Sequence, residues 1–261
     1  RSSNLRGRAP RLSSATPTEQ GILLPRHKGR TVTENETPQD VHSLEGRRAV
    51  VTGSSSGIGR AIALELSAAG AEVLIHANRS IADGEKLREE ITARGARCEF
   101  IQADLRTGKA ATAFFEEALE TLGRLDIWVN NAGVDILTGE GAKLSYQEKL
   151  DSLIAVDLKA SILLARKAGS AMKDHGGVIL NMGWDQAAVG MEGESGELFG
   201  AIKGAVMAFT RSLALSLAPK VRVNCLAPGW IRTAWGEEAP AEWQERVLQE
   251  VPLGRWGSPE D

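Results

Sequence analysis

Tyrosine is almost missing from this chain: Tyr146 is the only one in 261 residues, within an aromatic fraction of 5%. Chemistry that needs a tyrosine hydroxyl has one place to find it. Cysteine is nearly as scarce. Cys98 and Cys225 sit far apart in β-like apolar stretches, which reads as two buried core thiols of a reducing compartment, and no metal site is expected. No stretch approaches the roughly 18 to 20 uninterrupted apolar residues of a membrane helix, so no membrane span is expected. An excess of positive charge is also lacking. The formal net charge is -3, which leaves no basic face to neutralise phosphates and excludes nucleic acid as a partner. What is present, 42% hydrophobic and 25% charged residues, is ordinary globular composition, at a length that suits one α/β domain or two small ones. A cytoplasmic location is expected.

Charge is uneven along the chain. Residues 1–30 carry seven Lys or Arg against one acid, Glu19, with little apolar periodicity, so the segment cannot bury enough surface to offset its chain entropy. Residues 1–43 are therefore read as a disordered basic extension ending in a polar linker. An Arg-rich, acid-poor leader of this kind also fits an organelle import signal.

From Leu44 onward short apolar runs alternate with longer amphipathic stretches. Strands are predicted at 48–52, 72–76, 97–102, 126–130, 177–181 and 221–225, and helices at 57–69, 82–94, 108–122, 146–174 and 199–217. This βαβ rhythm predicts a parallel sheet, and the right-handed crossover rule makes a doubly wound α/β topology the simplest.

Two motifs fall at strand ends. After the first strand the chain reads Thr52-Gly53-Ser54-Ser55-Ser56-Gly57-Ile58-Gly59. Its glycines allow a sharp turn and close backbone approach, and the following helix points free N–H groups at a pyrophosphate. After the fourth strand comes Asn130-Asn131-Ala132-Gly133, small residues at the rim where open α/β sheets bind ligands.

With these motifs, Asp104-Leu105, Leu125 to Val129, Val223-Asn224, Pro228-Gly229 and Thr233, the sequence resembles the short-chain dehydrogenase/reductase family over about residues 44–261. The resemblance implies a single Rossmann-like domain binding NAD or NADP. It would place Gly53, Ser55, Ser56, Gly57 and Ile58 at the pyrophosphate and ribose. Asp104 and Leu105 would lie at the adenine, and Asn131, Ala132 and Gly133 at the adenosine side of the crevice. Pro228, Gly229, Ile231 and Thr233 would border the nicotinamide amide. It also implies a further helix and a seventh strand after Asp261, so the chain is expected to be truncated before the last strand. A homodimer or homotetramer is expected where that end is complete.

Cofactor choice is read from the end of the second strand, Ile75-His76-Ala77-Asn78-Arg79-Ser80. An acid there would bond the ribose 2′-hydroxyl of NAD, whereas Arg79 attracts a 2′-phosphate. No acid precedes Asp83, so NADP(H) is predicted over NAD(H).

The catalytic text departs from the family pattern. The family's Tyr-x-x-x-Lys pair aligns with Phe199-Gly200-Ala201-Ile202-Lys203, its serine with Trp184 or Asp185, and its helix asparagine with Asp157. Lys203 is retained, and the resemblance gives it the nicotinamide ribose. Spacing does not make Tyr146 a substitute.

Phenylalanine cannot donate a proton, and a general acid is worth roughly 10² to 10⁴ in rate. Two readings follow. In one, the protein is an oxidoreductase with a remodelled site, in which Asp185, and after it Asp157, replaces the hydroxyl as proton donor. In the other, it is an inactive dinucleotide-binding or regulatory protein on the same scaffold. Asp185 would otherwise serve as a helix cap or a partner of Lys203, and Asp157 as a buried group bonded to backbone. A small-molecule substrate is expected, with Trp230 and Trp235 either walling its pocket or packing on the surface.

Overall fold

The apolar runs become six parallel strands: β1 (Arg48–Val51), β2 (Glu72–Ala77), β3 (Cys98–Gln102), β4 (Ile127–Asn130), β5 (Gly177–Met182) and β6 (Val221–Leu226). A computed structural model describes residues 43–261. The extension read over 1–43 therefore lies, except for Ser43, outside the described residues. Strand order is β3-β2-β1-β4-β5-β6. The winding reverses between β1 and β4, which opens a crevice beyond their carboxyl ends.

The central strands β1, β2 and β4 are buried on both faces, as parallel strands between helical layers must be, whereas the edge strands β3 and β6 alternate buried and exposed residues. Val50, Leu74, Trp128 and Ile179 point into one core with Phe114, Phe115 and Leu164; Ala49, Val51, Val73, Ile75 and Val129 point into the other with Leu87 and Ile91. The first core lies under α3 (Gly108–Leu122), α6 (Ser161–Met172) and the end of α7 (Glu194–Leu217), the second under α1 (Gly57–Ala68) and α2 (Ile81–Ala93). Helix α7 is as long and apolar as a membrane-crossing helix. Here its Leu198, Ile202, Val206 and Leu213 are buried within the domain.

The structure corrects three expectations. The single helix read over 146–174 is α5 (Tyr146–Leu153), a π-helical segment (Ile154–Ala160) and then α6. Ser145 and Glu148 start α5 with reciprocal side-chain to backbone bonds, a capping box that fixes its first turn. Helix α7 begins at Glu194 rather than Phe199, so Phe199 and Lys203 sit inside it. Cys98 is buried, but Cys225 is only half-buried because β6 ends the described sheet. Three short helices, α4 (Gly139–Ala142), α8 (Ala234–Glu238) and α9 (Ala241–Glu250), were not legible in the apolar pattern.

Candidate active site

The glycine loop is held from two sides. Thr52 Oγ1 accepts the N–H groups of Asn131 and Ala132, both at 3.0 Å, while Asn131 Nδ2 donates to the carbonyls of Thr52 (3.1 Å) and Gly53 (2.8 Å). The two sequence motifs are thus one structural unit. Gly53 has φ +63°, and a Cβ there would lie 2.6 Å from the Ala132 Cα. Ser56 caps α1 without a side-chain hydrogen bond, and the first turn carries no acid. Its N–H groups therefore face the crevice without a side-chain partner, an arrangement that fits a pyrophosphate. Ser55, Gly57 and Ile58 are half-buried and Ser56 exposed around it.

His76, not singled out from sequence, braces this loop. Its ring is buried, Nδ1 accepts the Gly53 N–H at 3.0 Å, and Nε2 lies 3.0 Å from the Ala103 carbonyl. A carbonyl only accepts, so Nε2 carries the proton and the ring is the neutral tautomer. Burial pulls its pKa down to about 4, against the Ala103 hydrogen bond, which raises it.

Just beyond the end of β3, Asp104 is held by Arg106, whose Nε donates to both carboxylate oxygens at 3.0 and 2.9 Å. The hydrogen bonds from Arg106 keep the Asp104 pKa below the usual carboxylate value, with a smaller contribution from the charge of Arg79. Arg79 is exposed and makes no ion pair among the described residues. The Leu105 side chain is buried in the core.

Of the three polar residues read as catalytic, the structure pairs Asp157 with Lys203 and sets Asp185 apart. Asp157 is 3% exposed. Its Oδ1 lies 3.0 Å from Lys203 Nζ and its Oδ2 accepts the Val134 N–H at 3.0 Å. A Cβ on Gly133 would lie 2.7 Å from the same Oδ1, so the glycine leaves room for this carboxylate. Asp157 sits in the π-helical segment, a local widening frequent at functional sites. Lys203 pairs with Asp157, and Asp185 takes no part.

Asp185 is exposed at the start of a short turn after β5. Its N–H donates to the Pro228 carbonyl at 3.3 Å, its Oδ1 accepts the Gln186 N–H at 2.7 Å, and its Oδ2 lies 2.9 Å from where a Gly229 Cβ would be. Partial burial pushes its pKa up, and the charge of Glu250 adds to that. Trp184 meets Phe199 edge-on, with ring centroids 6.2 Å apart. Tyr146 is 46% exposed, and its hydroxyl donates to Glu197 at 3.4 Å.

The segment after β6 reaches the glycine loop. Thr233 Cγ2 would lie 3.2 Å from a Cβ on Gly57, and Ile231 forms an isolated bridge to Gly257. Trp230 and Trp235 stack on each other and pack with Trp243 and Trp256. Trp230 Nε1 donates to Glu250 at 3.0 Å.

The sheet order, the uncapped helix start and the two interlocked glycine motifs define a doubly wound dinucleotide-binding protein. A family model described as enoyl-(acyl carrier protein) reductase matches residues 53–261. A 3-oxoacyl-[acyl-carrier-protein] reductase of Aquifex aeolicus is 34% identical, covering 84% of this chain and 87% of its own. An uncharacterized oxidoreductase of Methylorubrum extorquens is 36% identical, covering 84% and 88%. The crystal structure of a short-chain dehydrogenase from Burkholderia cenocepacia in complex with NADP superposes with a TM-score of 0.75 at 33% identity, covering 84% and 87%. The chain belongs to the short-chain dehydrogenase/reductase family of oxidoreductases.

Proposed function

We propose that this protein is an NADP(H)-dependent oxidoreductase acting on a small carbonyl or alcohol, with Asp185 in place of the tyrosine hydroxyl that Phe199 lacks. One observation carries the reading. Asp185 is the carboxyl that borders Gly229, makes no ion pair among the described residues, and has its pKa raised by burial. Asp157 is committed to Lys203 and the Val134 N–H, which makes it a positioning residue.

The reduced nicotinamide supplies the hydride when bound. The chain's own groups do the rest. Protonated Asp185 donates its proton to the substrate oxygen, becomes carboxylate, and regains a proton from solvent, to which it is open. Lys203, fixed by Asp157, offers its remaining N–H donors to ribose hydroxyls. Trp184 and Phe199 supply an apolar wall. Arg79 supports the choice of NADP(H), since its unpaired guanidinium suits a 2′-phosphate.

A second reading, dinucleotide binding without redox chemistry, is favoured by the absence of a hydroxyl at Phe199. Turnover of NADPH with a panel of aldehydes and ketones separates the two. Asp185→Asn is expected to lower kcat by about 10² to 10⁴ with NADPH affinity unchanged. Full turnover in that variant removes Asp185 from the mechanism. NADPH binding with no turnover by the unaltered protein favours the second reading.

A further inference from the structure

We infer that His76 is a positioning residue that couples the pyrophosphate loop to the adenine wall, so that the two halves of the dinucleotide site hold one register. The inference rests on the dinucleotide reading above. Hydrogen bonds from both its ring and its backbone join His76 to the glycine loop. Its ring Nδ1 accepts the Gly53 N–H at 3.0 Å, its backbone N–H donates to Ser54 Oγ at 2.9 Å, and its carbonyl accepts the Ser54 N–H at 2.9 Å. On the opposite edge of the ring, Nε2–H donates to the Ala103 carbonyl at 3.0 Å, one residue before Asp104.

The two backbone bonds need no particular side chain; the two ring bonds need an imidazole. Only a neutral imidazole presents an acceptor and a donor on opposite edges at this reach. Phe114 packs on the ring, with centroids 4.8 Å apart, and limits its tilt. The Gly53 N–H and the Ala103 carbonyl are each set by one side chain, so a shift at one is transmitted to the other.

Two variants divide the ring's roles. In His76→Asn the amide oxygen still accepts the Gly53 N–H but no group reaches Ala103. In His76→Gln the amide N–H still reaches Ala103 while the Gly53 N–H loses its acceptor. Titrations with NADPH and with adenosine, which lacks the pyrophosphate, read the outcome. Each variant is expected to bind NADPH about tenfold more weakly, the scale of one unmade buried hydrogen bond. Adenosine affinity is expected to fall in His76→Asn and to hold in His76→Gln. Unchanged NADPH affinity in either folded variant overturns the inference.

A measurement on the unaltered protein stands even where the variants do not fold. Adenosine alone is expected to shift the nuclear magnetic resonance signals of the His76 ring and of the Gly53 amide, with the ring in its neutral Nε2–H form. An unmoved Gly53 amide overturns the coupling. Failure of the unaltered protein to bind NADPH overturns the dinucleotide reading itself, and His76 with it.

Discussion

Lys203 Nζ stands 3.0 Å from Asp157 Oδ1, and the other oxygen of that carboxylate holds the Val134 N–H at 3.0 Å. One side chain thus ties α7 to the π-helical segment and to the strand end that carries Asn131 to Gly133. The pair is shielded, with the Asp157 side chain 2% and the Lys203 side chain 14% exposed. Removing one partner of such a pair leaves a charge without compensation. Asp157→Ala is expected to lower unfolding free energy by about 3 kcal/mol. Asp157→Asn, which keeps an acceptor for Val134, is expected to cost less, on the order of 1 kcal/mol. Urea unfolding of the two variants checks the order, and equal losses would show that the Val134 bond adds nothing beyond the ion pair.

Phe199 lies one helical turn before Lys203, on the same face of α7. Phe199→Tyr adds one hydroxyl at that position without changing ring volume. Carbonyl reduction with NADPH is expected to rise by about a hundredfold or more, the lower end of the range for a general acid. No gain with intact NADPH binding would mean that Trp184, edge-on to this ring, blocks the carbonyl.

Arg79 is exposed beside the Asp104–Arg106 pair. Arg79→Ala is expected to weaken NADPH binding by about tenfold or more, since a charge-assisted bond contributes roughly 1.5–3 kcal/mol, and to leave NADH binding unchanged. Fluorescence titration with both cofactors decides it. Equal affinities in the unaltered protein would make Arg79 an ordinary solvated charge.

His76 also predicts a pH dependence of stability. Its pKa falls from 6.5 to about 4 in the folded state because burial disfavours the imidazolium. The unfolded chain then binds a proton that the folded chain refuses. The stabilising contribution is full above the unfolded value near 6.5 and is lost as pH falls toward 4, an amount on the order of 3 kcal/mol. Unfolding followed from pH 7 to pH 4 should show this decline, and His76→Gln should flatten it. An unchanged slope in the variant would assign the decline to other groups.

The sequence by itself determined the doubly wound sheet. Strands buried on both faces must be continuous apolar runs, and Thr52 to Gly59 and Asn130 to Gly133 carry their backbone requirements in the residues themselves. The Phe199–Lys203 spacing is legible too, because it is local to one helix. Tertiary structure alone decided which residues meet. That Lys203 pairs with Asp157 rather than Asp185 depends on the π-helical widening after α5, which has no period to read. That His76 joins Gly53 to Ala103 depends on the register of three neighbouring strands. A lone histidine in an apolar strand gives no sign of it, since hydrogen bonds between residues 23 and 27 positions apart are set by strand pairing and not by spacing along the chain.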